Sequence, residues 1–228
     1  MKKNNSGSGS LREYIVRLVI LFIGLTIAHL GVTLFILSSL GADPFNVLIQ
    51  GLRNVCSGLL PSVTHGMVHM AVCFLIILIL LIVDKSYIKA GTIVCMFCGG
   101  PIIDFFTWAL QGLQIGTSTL PVKAAALVAG CVILAFGMTI VIRSEAGTGP
   151  NDLVAVVISD KTHRRFGVVR VIVDFCFIAV GCLLGGTFGV GTIICAFLVG
   201  PVADLCMPLS RSIVDRIVRA FGGAAGTL

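Results

Sequence analysis

Along this chain six stretches stay apolar for the length that a bilayer demands, about 20 residues of helix. They run from Leu18 to Ala42, His65 to Val83, Ala90 to about Leu110, Ala124 to Ile142, about Gly167 to Gly185 and about Gly186 to Leu209. Two further stretches, Pro44 to Val55 and Pro150 to Ser159, have only about half that length and are too short to cross. Proline suits the first helical position because its missing N–H would go unpaired there, and Asp43 before Pro44 suits an N-cap. Each short stretch therefore reads as a half-helix that starts just after a glycine-rich break. In the first, Asn46, Gln50, Arg53 and Asn54 make a polar stripe at helical spacing, opposite Phe45, Leu48, Leu52 and Val55. A helix lying flat on the membrane surface is the alternative for the same pattern. Beyond the sixth span, Ile213, Val214, Ile217, Val218 and Phe221 share one helical face and Arg211, Asp215, Arg216 and Arg219 the other, which predicts an interfacial amphipathic helix before a frayed end at 222–228.

The pattern is written twice. Leu40-Gly41-Ala42-Asp43-Pro44-Phe45-Asn46 answers Ala146-Gly147-Thr148-Gly149-Pro150-Asn151-Asp152, and upstream, at the same spacing, Gly24, Gly31, Thr33 and Ser38 answer Gly130, Gly137, Thr139 and Ser144. Downstream, Gly91-Thr92-Ile93-Val94-Cys95 and Gly100-Pro101-Ile102-Ile103-Asp104 answer Gly191-Thr192-Ile193-Ile194-Cys195 and Gly200-Pro201-Val202-Ala203-Asp204. One unit of roughly 100 residues is present in two copies, a self-similarity that decides the fold class before any single motif does. The expected organisation is a polar, flexible N-terminus (residues 1–11), a first repeat (12–112), a second repeat (113–209) and a C-terminal amphipathic segment (210–228).

Composition narrows the class further. With 57% hydrophobic and 11% charged residues, the chain has less than half the charge of an ordinary soluble domain and is not a soluble globule. A net charge of +6 could point to nucleic acid, but the basic residues sit in short runs between the apolar segments and form no patch. They report orientation instead. With the N-terminus inside, Lys2, Lys3, Arg12, Arg17, Lys85, Lys89, Arg143, Lys161, Arg164, Arg165, Arg211, Arg216 and Arg219 fall on the inner side, against Arg53 and Lys123 outside. The expectation is an all-α polytopic protein of the bacterial cytoplasmic membrane with both termini in the cytoplasm. Three spans per repeat make the two copies inverted relative to one another. The nine cysteines lie mostly inside apolar segments, where thiols behave as small hydrophobes, and give no disulfide framework.

Charges inside the spans carry the candidate chemistry, because each is costly to insert. Asp104 and Asp204 occupy one position in the two copies, each three residues after a Gly-Pro (Pro101, Pro201) expected to break or kink its helix. Gly66-Met67-Val68-His69 aligns with Gly167-Val168-Val169-Arg170, so His69 is expected to meet Asp104 and Arg170 to meet Asp204, as gates or ion pairs. Arg170 and Asp174, four apart, can also pair along their own helix. Ion pairs that merely lock helices together are the plainer reading of all five residues. His65, His69 and Cys73 share a helix face, with Cys95-Met96-Phe97-Cys98 one helix later, a set suited to a soft metal. The second copy lacks it, so packing is preferred there and no metal or other cofactor is expected. No G-x-S-x-G, H-E-x-x-H or P-loop occurs, and the chain reads as a non-enzyme without catalytic residues.

At Leu40-Gly41-Ala42-Asp43-Pro44-Phe45-Asn46, Gly147-Thr148-Gly149-Pro150-Asn151-Asp152 and the two Gly-Pro-x-x-Asp segments, the sequence resembles the YczE/YitT-like bacterial integral membrane proteins, from about Arg12 to Leu205. What the resemblance implies is a location in the bacterial cytoplasmic membrane. The residues themselves point to a small-solute transporter or channel-like protein, because inverted repeats with Gly/Pro-interrupted helices at corresponding positions mark a site between the repeats. Half-helix starts at Pro44 and Pro150, after the breaks at Gly41 and Gly147, would offer free N–H groups to a polar or anionic group, with Asp43, Asn46, Asn151 and Asp152 lining the site. A non-transporting accessory or regulatory membrane protein is the competing class, and a transition-metal transporter a minor one. The partners these readings call for are the lipid bilayer, a small solute or ion, and a second copy or another membrane protein. Nucleic acid is not among them.

Overall fold

A computed structural model describes residues 11–58, 62–63 and 65–222. The expected flexible N-terminus (1–10) and frayed end (223–228) lie outside the described residues. Eight α-helices follow in order: α1 (Leu11–Leu37), α2 (Pro44–Ser57), α3 (His65–Asp84), α4 (Ala90–Leu110), α5 (Leu120–Arg143), α6 (Pro150–Thr162), α7 (Phe166–Leu183) and α8 (Val190–Phe221). Among the described residues, all except α2 and α6 are long and apolar enough to cross a membrane, six in total. The described ends of the chain lie together, since a Cβ on Gly222 would stand 3.3 Å from the Glu13 side chain. That end of the bundle is called the termini face below.

Helices α1 and α5 make the most extensive contact, and glycine makes it possible. A Cβ on Gly31 would lie 2.3 Å from the Leu134 nitrogen, and one on Gly137 would lie 2.3 Å from the Ala28 nitrogen. Small residues let backbones approach closely where lipid provides no hydrophobic drive for helix association. Around this pair several contacts come in matched sets, while the packing of α7 on α8 has no equal between α3 and α4. Contact of α1 with α4 is answered by α5 with α8, and α2 with α7 by α6 with α3. The largest core cluster belongs to the second half, with Leu127, Met138, Ala155, Val173, Val199 and Ala203 among its buried members.

The two short helices lie end to end. Phe45 at the start of α2 meets Phe177, in the second half of α7, edge to face (centroids 5.4 Å), while Asn54 near the end of α2 donates to the Gly185 carbonyl beyond α7 (2.7 Å). Asp152 at the start of α6 binds Arg170 in the second turn of α7, and Ser159 near the end of α6 donates to the Arg164 carbonyl just before α7 (2.7 Å). On the other side α3 repeats the arrangement, with His69 against Phe45 and Leu80 against Leu153 and Val157. Both half-helices thus begin inside the bundle and run out to opposite faces. A helix lying flat on the surface would not bury its first turn, yet Pro44, Phe45, Pro150 and Leu153 are buried.

Three expectations need correction. Pro101 and Pro201 do not break their helices, since α4 and α8 run through them. Inside a bundle neighbouring helices and local adjustments compensate the one hydrogen bond that proline removes. The amphipathic segment after the sixth span is no separate helix either. It continues α8 to Phe221, because Val214, Ile217 and Val218 have apolar partners in Ile20 and Ile140 and need no lipid surface to cover them. At the other terminus α1 begins at Leu11, ahead of the apolar run, where Glu13 and Arg17 pair along the helix (2.9 Å).

Candidate functional site

Each half-helix start is prepared by a break of one design. Ser38 and Ser144 hydroxyls donate back to the Phe35 and Val141 carbonyls (both 2.6 Å), and Ser39 and Glu145 turn left-handed at φ +55° and +57°. Gly41 and Gly147 follow at φ +150° and +140°, where an L side chain is strained. The broken ends are then closed across the halves. Gly191 N–H donates to the Leu40 carbonyl (3.0 Å), and Gly91 N–H to the Ala146 carbonyl (2.9 Å). Thr192 adds a hydroxyl bond to the Ala42 carbonyl (2.5 Å), whereas the buried Thr92 and Thr148 hydroxyls at the second break have no partner among the described residues.

The four residues expected to line a site flank these starts. Asp43 caps α2, accepting from Asn46 N–H (3.2 Å), and its other oxygen accepts from the Asn46 side chain. Asn151 donates to Asp152 (3.1 Å) in the first turn of α6. Asp152 also receives Arg170, whose Nε binds Asp174 Oδ2 (2.9 Å), making an acid–base–acid chain from α6 into α7. Arg170 and Asp174 are almost fully enclosed, their side chains 8% and 1% exposed. Two carboxylates therefore flank one guanidinium, and the buried Asp174 Oδ1 has no hydrogen-bond partner among the described residues.

This arrangement revises two pairings. Arg170 does not bind Asp204, because α6 presents Asp152 at the level of Arg170, while Asp204 is taken by the N–H of Gly167 at the start of α7 (2.8 Å). The Asp204 side chain also lines a cavity of about 710 Å³ together with Arg143, Asp160 and Arg165. His69 lies against Phe45, with Nδ1 3.8 Å from Cys73 Sγ, and makes no ion pair with Asp104, which is exposed on α4. Among the described residues no three His, Cys, Asp or Glu gather as metal ligands, and the His65 side chain lies outside what is described.

One central residue escapes the sequence reading. His29 of α1 donates from Nδ1 to the Leu25 carbonyl (2.7 Å), and its Nε2 would stand 2.8 Å from a Cβ on Gly99. A single histidine in an apolar run gives no signal of this kind. Its place becomes visible only when α4 is laid against α1.

Residues 15–208 match a family described as a family of unknown function, DUF6198. The chain is similar to the uncharacterised membrane protein YczE of Bacillus subtilis, at 26% identity over 208 residues, which cover 91% of this chain and 93% of that protein. It is also similar to the uncharacterised protein YyaS of the same organism (24% over 187 residues, 82% and 90%). An uncharacterised protein of Haemophilus influenzae aligns at 26% over 191 residues, 81% of this chain and 80% of that protein. No solved structure matches the chain.

Proposed function

The chain belongs to the DUF6198 family, and we propose that it is a small-solute transporter of the bacterial cytoplasmic membrane, built from two inverted repeats, with a central site that takes a cation. The matched helix contacts support the inversion. Exchanging α1–α4 for α5–α8 reproduces the main packing pairs apart from that of α7 with α8, and three membrane-crossing helices per half set the halves in opposite directions. Half-helices that start inside the bundle are what such carriers use to expose polar backbone at the middle of the membrane.

The charge of the site decides the class of solute. Free half-helix N-termini would attract an anion, but Asp43 already caps α2 and Asp152 occupies the first turn of α6. Asp152 and Asp174 outnumber Arg170, so the centre favours a positively charged solute, an amine or an alkali-metal cation. The observation that carries this reading is the buried, unpartnered Asp174 Oδ1. Leaving a buried acceptor unsatisfied costs about 1–3 kcal/mol, and more for a charged group, a penalty that a bound donor or cation removes. No group in the chain reads as catalytic, and transport needs none.

Uptake into proteoliposomes, screened by mass spectrometry over organic and alkali cations and matched anions, tests the proposal. Cation accumulation that falls in Asp43→Asn and Asp174→Asn is expected. Uptake of no compound, with native phenotypes insensitive to both variants, would move the protein to the accessory class.

A further inference from the structure

Three contacts hold α7 to α8. Gly167 N–H, an otherwise unpaired donor in the first turn of α7, is satisfied by Asp204 (2.8 Å). Gly200 and Gly167 touch, so that a Cβ on Gly200 would lie 2.4 Å from the Gly167 carbonyl oxygen. Phe175 and Phe197 meet edge to face, with centroids 4.9 Å apart.

The first half holds all the residues for the same three contacts, at the corresponding positions: Gly66 and Asp104, Gly66 and Gly100, Phe74 and Phe97. Among the described residues, neither α4 partner nor the phenylalanine pair shows such a contact. Asp104 is exposed and accepts no hydrogen bond, a Cβ on Gly100 would meet nothing within 4 Å, and Phe74 and Phe97 are 58% and 64% exposed without a ring contact. Both Gly100 and Asp104 are unfavourable where they stand, one for helix entropy and the other for its charge in an apolar span. In the other half the same residue types are compensated by the contact they make.

We infer that α3 and α4 close on one another in a second conformation that copies the α7–α8 contact. Asp104 then accepts the first-turn N–H of Gly66, Gly100 receives the backbone of α3, and Phe74 meets Phe97. The two helices are joined at the termini face by the short turn Lys85–Tyr87 and residues 88–89, while Gly66 and Asp104 stand toward the opposite ends of their helices. Closure is therefore a pivot about that turn which shuts a cleft gaping at the face away from the termini. The α7–α8 contact, joined at the other face, opens in exchange, so that access to the centre passes from one face to the other. This rests on the inverted-repeat reading and deepens it, and it does not depend on which solute is carried.

The test uses full-length protein in lipid nanodiscs with native cysteines replaced, and reads helix proximity rather than uptake. A short bifunctional thiol reagent should link Phe74→Cys to Phe97→Cys, and spin labels at the same sites should give two distances, the shorter matching that measured between positions 175 and 197. Gly100→Leu, which has open space here, should hold or raise the melting temperature and abolish the 74–97 link. A single long 74–97 distance in every lipid and ligand condition, or a link that survives Gly100→Leu, overturns the gate and leaves this face as a surface covered by lipid or a second copy. Failure of uptake alone would overturn the transport reading and leave the gate standing.

Discussion

Arg170 and Asp174 stand one turn apart on α7, joined by Nε and Oδ2 at 2.9 Å, with the second oxygen of Asp174 buried and unpartnered. Removing the arginine leaves that carboxylate, and Asp152 beside it, without a counter-charge. Breaking a buried pair from one side is strongly destabilising, so Arg170→Ala is expected to cost about 3–5 kcal/mol in reversible unfolding in detergent micelles. Arg170→Ala combined with Asp174→Ala should lose much less than the sum of the single changes. Strict additivity would mean that the pair carries no coupling.

Asp43 offers a cleaner test of the charge argument than Asp152, because Asp152 is tied to Arg170. Asparagine caps a helix about as well as aspartate. Asp43→Asn should therefore keep the unfolding free energy within about 0.5 kcal/mol of the parent, the range of a neutral surface change. It should also reduce stabilisation by a bound cation, which by mass action reaches about 2.7 kcal/mol at 100 times the dissociation constant. Unchanged ligand stabilisation would remove Asp43 from the site.

Glycine at the breaks and glycine on α4 should respond in opposite ways. Gly147→Ala forces a side chain at φ +140° and a Cβ 2.4 Å from the Thr92 nitrogen. A loss of at least about 1–3 kcal/mol is expected from the backbone strain alone. Gly100→Ala meets open space within a helix and should gain about 0.4–1 kcal/mol through the unfolded chain. Thermal unfolding of the two variants side by side decides it.

Orientation is open to direct measurement. Single cysteines replacing Lys85 or Arg164 should react only with reagents that enter the cell, and one replacing Lys123 with a reagent that does not. Outside labelling at position 85 would reverse the assignment of the termini face to the cytoplasm.

Length and charge made the six crossing helices legible, and Gly-x-x-Pro made both half-helix starts legible, because proline at N1 and glycine in a left-handed turn are local demands. The partner of Arg170 was not legible. Repeat alignment equates residues along the chain, but Asp152 reaches Arg170 only because α6 folds back along α7, a tertiary fact. The same limit hid His29, whose neighbour Gly99 lies on a helix distant in sequence. Pro201 misled for a related reason, since a helix held on several sides tolerates a missing hydrogen bond that an isolated one does not.

The crossed hydrogen bonds at the two breaks constrain how the chain is born. The Leu40 carbonyl waits for Gly191, and the Ala146 carbonyl is met by Gly91, so neither half can satisfy its own interrupted helix. Unmet backbone is intolerable in hydrocarbon. During synthesis the opening segment must keep its break hydrated or guarded by the insertion machinery until nearly the last helix has emerged, which makes completion of the bundle a single late event. On the inverted-repeat proposal, a gene encoding one half alone would yield a stable product only by inserting its copies in both orientations and exchanging these bonds between two molecules.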